Sequence, residues 1–158
     1  MYQRILVPVD GSPTSNRGLA EAIALAKLTG GYLRLIHVVD NLSITTAMDG
    51  YTAYSAEVFE SLRAGGAEII EAARATVAAA GVNIETVLHD NFEGSVHELV
   101  IAEADSWKAD LIVLGTHGRR GIGRMLLGSS AEYILRIATV PVLLVRAPEA
   151  AKDKPAMA

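Results

Sequence analysis

The chain contains no cysteine among its 158 residues. It therefore has no disulfide, no thiolate zinc site and no cysteine nucleophile, and a reducing compartment fits this composition. Aromatic residues make up only 5% of the chain, so the core must be built from valine, isoleucine, leucine and alanine. The formal net charge is −4, which argues against a nucleic-acid-binding surface at the level of the whole chain.

Long hydrophobic runs are also missing. No stretch approaches the roughly 18 apolar residues of a membrane-spanning helix, and the apolar run at 5–9 is too short for the core of a signal peptide. We therefore expect a soluble, cytoplasmic protein with no membrane or nucleic-acid partner. Hydrophobic residues make up 51% of the chain, which is enough for a sizeable core, and the length predicts one domain.

Short apolar runs alternate along the chain with segments in which apolar residues recur at helical spacing. The runs cover residues 5–9, 33–39, 84–88, 110–115 and 140–145. Strands alternating with helices predict a doubly wound α/β fold, in which five parallel strands are covered by helices on both faces. Ligands of such folds bind at the carboxyl ends of the strands, where the strand order reverses. This rule directs attention to Asp10, to residues 37–40 and to the loop after Leu114.

Capping residues mark several helix ends. Ser12 followed by Pro13 is typical of an N-cap with proline at the first helical position. Ser95 and Glu98 have the spacing of a capping box. Gly30 is placed to end the first helix.

The longest predicted helix, over 53–80, contains two adjacent glycines in its interior. Gly65 and Gly66 together cost about 2 kcal/mol relative to alanines. The pair therefore indicates a bend or a break in this helix.

The loop after the fourth predicted strand has the composition of a phosphate-binding segment. Residues 115–130 hold five of the 14 glycines, together with three arginines. Glycines let the backbone approach a ligand, and the helix that begins near Gly128 offers free N–H groups and the positive end of its dipole. These features predict a phosphate cradle. The alternative is a flexible connection with solvated arginines.

Two well-known phosphate fingerprints fit this loop poorly. Gly123 and Gly128 have the spacing of a P-loop, but Ser129 occupies the position of its lysine. Gly121 and Gly123 could begin a dinucleotide fingerprint, but Leu126 occupies the position of its third glycine. No two of the four histidines have metal-ligand spacing, so we predict no metal site built from histidine side chains.

Three separated motifs resemble the universal stress protein family. They are the nucleotide motif Gly115-x2-Gly118-x9-Gly128-Ser129, the opening strand at 4–12 and the closing strand at 141–145. The resemblance covers residues 1–146 as a single domain, and the tail at 147–158 is expected to be loose. It implies a flavodoxin-like sheet of order 3-2-1-4-5, ATP binding in one subclass, and dimers joined through the last strands. Because the whole glycine pattern is kept, the chain resembles the ATP-binding members.

Carried over by residue, the resemblance implies a site for ATP, together with Mg2+. The predicted nucleotide-binding residues are Pro8, Val9, Asp10, Val38, Gly115, Thr116, His117, Gly118, Arg119, Gly128, Ser129 and Ser130. The adenosine end would lie at the first four, and the phosphates would lie at the others. Asp10 would serve the ribose or a metal, but it could instead cap the first helix or shape its turn. Ser129 could be the N-cap of the fourth helix, and His37 is expected to be a wall or core residue.

The resemblance implies a regulatory, ATP-binding protein of stress adaptation that acts as a homodimer. The dimer would form through the fifth strand, at Val140, Val142 and Leu144, unless the tail covers that edge in a monomer. One alternative is a slow ATPase or nucleotidyl-transfer enzyme, but no catalytic residues are evident, and we expect weak ATP hydrolysis at most. Another is a dimeric interaction module with a different phosphate ligand.

Overall fold

A computed structural model of the chain describes residues 1–39, 56–90, 94–116 and 127–146. Strands and helices alternate along it as predicted. The strands are β1 (Arg4–Pro8), β2 (Tyr32–Val38), β3 (Ile84–His89), β4 (Leu111–Gly115) and β5 (Val142–Val145). The helices are α1 (Pro13–Thr29), α2 (Ala56–Ala79), α3 (Val96–Trp107) and α4 (Ser129–Ile137). Among the described residues, no helix combines the length and the apolar character needed to cross a membrane.

The five strands form one parallel sheet of order β3-β2-β1-β4-β5, which confirms the predicted fold class. Because β1 lies between β2 and β4, the carboxyl ends of these three strands share one edge of the sheet. The candidate residues that follow β1, β2 and β4 are therefore brought to the same place.

Alternate residues of each strand enter two separate cores, since successive side chains of a strand point to opposite faces. Ile5 and Val7 of β1 pack with α1 and α2 on one face. Leu6 of β1 packs with α3 and α4 on the other face. These strand residues are fully buried, as the continuous apolar run at 5–9 predicted for a sheet covered on both faces.

The predicted caps of α1 and α3 are confirmed. The hydroxyl oxygen of Ser12 accepts a hydrogen bond from the Ser15 amide at 3.2 Å, and α1 ends at Gly30 in the left-handed conformation, with φ of 68°. Ser95 and Glu98 form the capping box of α3. Hydrogen bonds from the Ser95 hydroxyl and amide hold the pKa of Glu98 below its ordinary value.

Of the bend or break expected in α2, the break is wrong, because the helix continues through both glycines. The reason for glycine at one of these positions is close packing on the sheet. A Cβ at Gly66 would lie 2.6 Å from Val39 Cγ2 and 3.1 Å from His37 Cδ2. A Cβ at Gly65 would meet nothing within 4 Å. Gly66 therefore lets α2 approach β2, whereas Gly65 has no such contact.

This difference predicts opposite effects of the same substitution at neighbouring positions. Gly65→Ala is expected to raise the free energy of unfolding by about 1 kcal/mol, the gain in helix propensity. Gly66→Ala is expected to lower it by about 2 kcal/mol, because overpacking against Val39 and His37 outweighs that gain. Urea unfolding of the two variants measures both values. Equal stabilisation by the two alanines would contradict the close contact at Gly66.

β5 is an edge strand, and half of its backbone faces away from β4. The amide of Ile112 donates to the carbonyl of Pro141 at 3.0 Å, so the backbone of residue 141 faces β4. By alternation, the N–H and C=O groups of Val142 and Leu144 face outward. Their side chains pack against the second core, and Leu143 on the opposite face is 37% exposed. The strand begins two residues later than the predicted 140–145.

Candidate functional site

The hydrogen-bonded pairing between β1 and β4 ends early because of a proline, and this place is the candidate crevice. The amide of Val9 donates to the Ile36 carbonyl on β2 at 2.9 Å, so the nitrogen of residue 8 is on the side of β4. Proline has no N–H to donate there. The register of β1 with β4 ends at Leu6↔Ile112, whereas the register of β1 with β2 continues to Pro8↔Ile36. Pro8 therefore ends the pairing at the switch point, where ligands of this fold bind.

The turn from β1 into α1 is held by the side chain of Asp10. Its Oδ1 accepts a hydrogen bond from the Ser12 amide at 2.8 Å, and its own amide donates to Ser15 Oγ at 3.1 Å. Gly11 between them has a φ of 76°, which glycine adopts without strain. Asp10 thus shapes the turn at the start of α1, which is one of the roles that the sequence suggested for it. A contact of this carboxylate with a ribose or a metal stays a prediction.

The end of β4 lies against the first turn of α1. A Cβ at Gly115 would lie 2.7 Å from the carbonyl carbon and oxygen of Thr14 and 2.9 Å from the Ser15 nitrogen. This glycine is thus required for packing of the helix on the strand. That requirement is separate from the phosphate contact predicted for it.

One backbone hydrogen bond joins the two ends of the glycine- and arginine-rich loop. The carbonyl of Thr116, at the end of β4, accepts from the amide of Gly128 at 2.8 Å, and the Thr116 amide donates to Val145 at 3.0 Å. The amides of Thr116 and Gly128 are therefore already engaged within the fold. His117, Gly118 and Arg119 lie outside the described residues, so their predicted roles stay predictions.

The N-terminus of α4 has no side-chain cap among the described residues. Its N-cap is Gly128 and not Ser129, the residue named as a possible N-cap, and no described side chain accepts a hydrogen bond from its first turn. In this respect it differs from α1, where the Ser12 hydroxyl accepts from the first turn. Neither Ser129 nor Ser130 has a hydroxyl hydrogen bond within the described part of the chain, and the first amides of a helix have no intrahelical partner. The donors that remain for an anion are therefore the amides of Ser129, Ser130 and Ala131 and the hydroxyls of the two serines.

His37 is buried at the end of β2, as expected for a wall or core residue, with 6% of its surface exposed. Its Nδ1 lies 2.6 Å from the carbonyl oxygen of Val9. No sequence pattern signals this contact, because residues 28 apart meet only when β1 and β2 pair. Val9 itself is buried, and Val38 is half-buried beside it.

The structure thus brings most of the predicted site residues to one edge of the sheet. Those at the ends of β1, β2 and β4 are Pro8, Val9, Asp10, Val38, Gly115 and Thr116. The start of α4 joins them through the bond between Gly128 and Thr116. Over the described ranges, no group of three or more histidine, aspartate and glutamate side chains is placed to hold a metal ion.

The sequence was compared with models of known protein families. The model of the universal stress protein family matches residues 1–146. The chain belongs to the universal stress protein family. It is 34% identical over 149 residues to universal stress protein MJ0531 of Methanocaldococcus jannaschii, a match that covers 94% of this chain and 85% of that protein.

Solved structures of similar fold agree with this assignment. The structure of hypothetical protein MJ0577 matches with a TM-score of 0.79 at 25% identity, covering 95% of this universal stress protein and 99% of that chain. A universal stress protein crystallised in complex with cAMP matches with a TM-score of 0.62 at 26% identity, covering 93% of this chain and 98% of that one.

Proposed function

We propose that this universal stress protein binds ATP, together with Mg2+, in the crevice between β1 and β4, and acts as a regulatory protein of stress adaptation. The observation that carries the proposal is the first turn of α4, which has no side-chain cap among the described residues and is held at the end of β4 by the bond between Gly128 and Thr116. A helix N-terminus favours an anion through its free N–H groups and its dipole. The relative crystallised with cAMP supports an adenine nucleotide as the ligand.

The residues around the proposed crevice would meet the two ends of ATP differently. The phosphates would lie at Ser129 and Ser130, whose amides and hydroxyls are donors. The adenosine end would lie against Val9 and Val38, whose side chains are apolar. Bound Mg2+ would neutralise part of the phosphate charge. Asp10 would face the ribose or this metal, while its Oδ1 holds the turn.

The nucleotide that the purified protein carries is the direct test. We expect mass spectrometry of the denatured protein to release an adenine nucleotide, and calorimetric titration of the stripped protein to give tighter binding of ATP than of ADP, cAMP or inorganic phosphate. The matched titration without Mg2+ should give weaker binding of ATP. A sample that carries no nucleotide and shows no heat and no thermal shift with ATP would contradict the proposal. If the protein binds cAMP more tightly than ATP, the proposed ligand is wrong but the proposed site stands.

Rapid turnover of ATP would instead favour the alternative of an enzyme. We expect hydrolysis to be slow at most. A fast rate that is lost in His117→Ala would support a catalytic role for this loop.

We further propose that two copies pair through the outer edge of β5, where the backbone groups of Val142 and Leu144 face away from β4. An edge strand with free N–H and C=O groups favours pairing with another strand, and a two-fold dimer is the commonest homo-oligomer. Val140 precedes the strand, and by the same alternation its backbone groups would face away from β4. The exposed Leu143 would lie next to its counterpart in the second copy.

Val142→Pro tests this dimer without disturbing the bonds to β4, because proline removes only an outward-facing N–H. We expect light scattering to give a mass near twice 16.7 kDa for the parent protein and near 16.7 kDa for the variant. Val142→Ala is the matched control: it removes the same side-chain packing, keeps the N–H and should stay dimeric. A parent protein that is monomeric at micromolar concentration would contradict the proposal.

A further inference from the structure

We infer that His37 is a positioning residue of the nucleotide site, which holds the Val9 carbonyl and so keeps the backbone amide of Val38 open to the ligand. The identity of the ligand in this inference rests on the proposed function. The geometry rests on the observed pairing of β1 with β2.

The regular ladder between β1 and β2 stops one bond early. In a parallel pair, the bond from the Val9 amide to the Ile36 carbonyl would be followed by a bond from the Val38 amide to the Val9 carbonyl. That next bond is not made. The Val9 oxygen instead lies 2.6 Å from Nδ1 of His37. Because a carbonyl oxygen only accepts, the hydrogen of this bond is on Nδ1.

The Val38 amide has no acceptor in the described part of the chain. β2 keeps its pairing on the other side, since the Val39 amide donates to the His89 carbonyl at 2.8 Å. The strands therefore separate on the side of β1 alone, next to Pro8, where β1 has already separated from β4. A half-buried N–H at this place gains a hydrogen bond only from a ligand or from water. The ligand group that fits is an acceptor, such as a ring nitrogen or a carbonyl oxygen of a nucleobase.

The imidazole is held in this position by the packing of α2. A Cβ at Gly66 would lie 3.1 Å from Cδ2 and 3.3 Å from Nε2 of His37, so the ring fills the space that the glycine leaves. His37 is 6% exposed. The ring therefore has little room to turn away from Val9, and the Val9 oxygen has a fixed partner that competes with the Val38 amide.

Two substitutions at this position separate the role of the hydrogen bond from that of the side-chain volume. The amide nitrogen of His37→Asn lies near the place of Nδ1 and can still donate to Val9. The amide of His37→Gln lies one carbon further out, near the place of Nε2, and His37→Leu has no donor. We expect the Val9 oxygen to pair with the Val38 amide in the glutamine and leucine variants only.

Amide hydrogen exchange, measured by NMR on the nucleotide-free protein, reports directly whether the Val38 amide is hydrogen-bonded. In the parent protein and in His37→Asn, the Val38 amide should exchange at least about tenfold faster than the Val9 amide, which is bonded to β2. In His37→Gln and His37→Leu it should become about tenfold slower than in the parent. A merely structural role would leave Val38 exchange unchanged or make it faster, and this result would overturn the inference. Protection of Val38 in the parent would also overturn it.

Nucleotide affinity of the same four proteins gives the functional readout. We expect His37→Gln and His37→Leu to lose about tenfold in ATP affinity and His37→Asn to stay close to the parent. Equal affinity of all four, with ATP bound, would overturn the role of the Val38 amide in the site. If the parent binds no ATP, the proposed function fails, and the exchange rates alone decide whether His37 controls this amide.

Discussion

Gly128→Asp is expected to abolish ATP binding while leaving the protein at least as stable as the parent. An aspartate at this N-cap would place its carboxylate against the free amides of the first turn of α4, which are the proposed phosphate donors. It would occupy the donors and repel the phosphates. Two like charges about 4 Å apart at an effective dielectric constant of about 20 repel by about 4 kcal/mol, so the affinity should fall by about a thousandfold.

The stability of the same variant should move in the opposite direction. Gly128 has φ of −59° and ψ of 144°, a conformation that aspartate adopts without strain. The new cap and its charge at the helix N-terminus should raise the free energy of unfolding by about 0.5 kcal/mol. Calorimetric titration with ATP and urea unfolding measure the two effects. Loss of binding in a stable protein cannot be attributed to unfolding.

Gly128→Asn is the matched control, because asparagine caps equally well without the charge. We expect it to lose about tenfold in ATP affinity, through competition for the amides alone. ATP affinity that is unchanged in both variants would place the phosphates away from the start of α4. It would contradict the proposed site.

The fold could be predicted because its determinants are local in the sequence. Apolar runs such as 5–9 show no alternation, since these strands are buried on both faces, and Ser12 with Pro13 marks the start of α1. The topology predicted which residues would lie together at the candidate site, because the ends of parallel strands meet at one edge. The N-cap of α4 is Gly128, one residue before Ser129, the possible N-cap, and both residue types are found at helix starts.

The contacts that open the crevice could not be predicted, because each depends on partners that only the folded sheet brings together. The pairing of His37 with the Val9 carbonyl replaces a ladder bond that the sequence would lead one to expect. The sequence pattern marks Gly66 as a residue that destabilises a helix, whereas in the structure it allows α2 to pack closely against β2. A pattern of residue types shows where the backbone can approach closely, but the neighbour that requires it is known only from the structure.

Gly115→Ala is expected to lower the free energy of unfolding by about 3 kcal/mol, the largest loss among the stability variants proposed. Its Cβ would lie 2.7 Å from the carbonyl carbon and oxygen of Thr14 and 2.9 Å from the Ser15 nitrogen. These are backbone atoms, which cannot rotate away as a side chain does. The first turn of α1 would have to move off β4, and it would carry with it the Ser15 hydroxyl that accepts from Asp10.

Gly18→Ala is the control on the other side of the same contact. Its Cβ would lie 3.3 Å from the Gly115 nitrogen, a distance that a small shift accommodates. The gain of about 1 kcal/mol in helix propensity offsets that shift, so we expect a change within about 1 kcal/mol of the parent. Urea unfolding of both variants measures the difference. A Gly115→Ala protein as stable as Gly18→Ala would mean that α1 is not held against the end of β4. The proposed anion site would then lack a fixed wall.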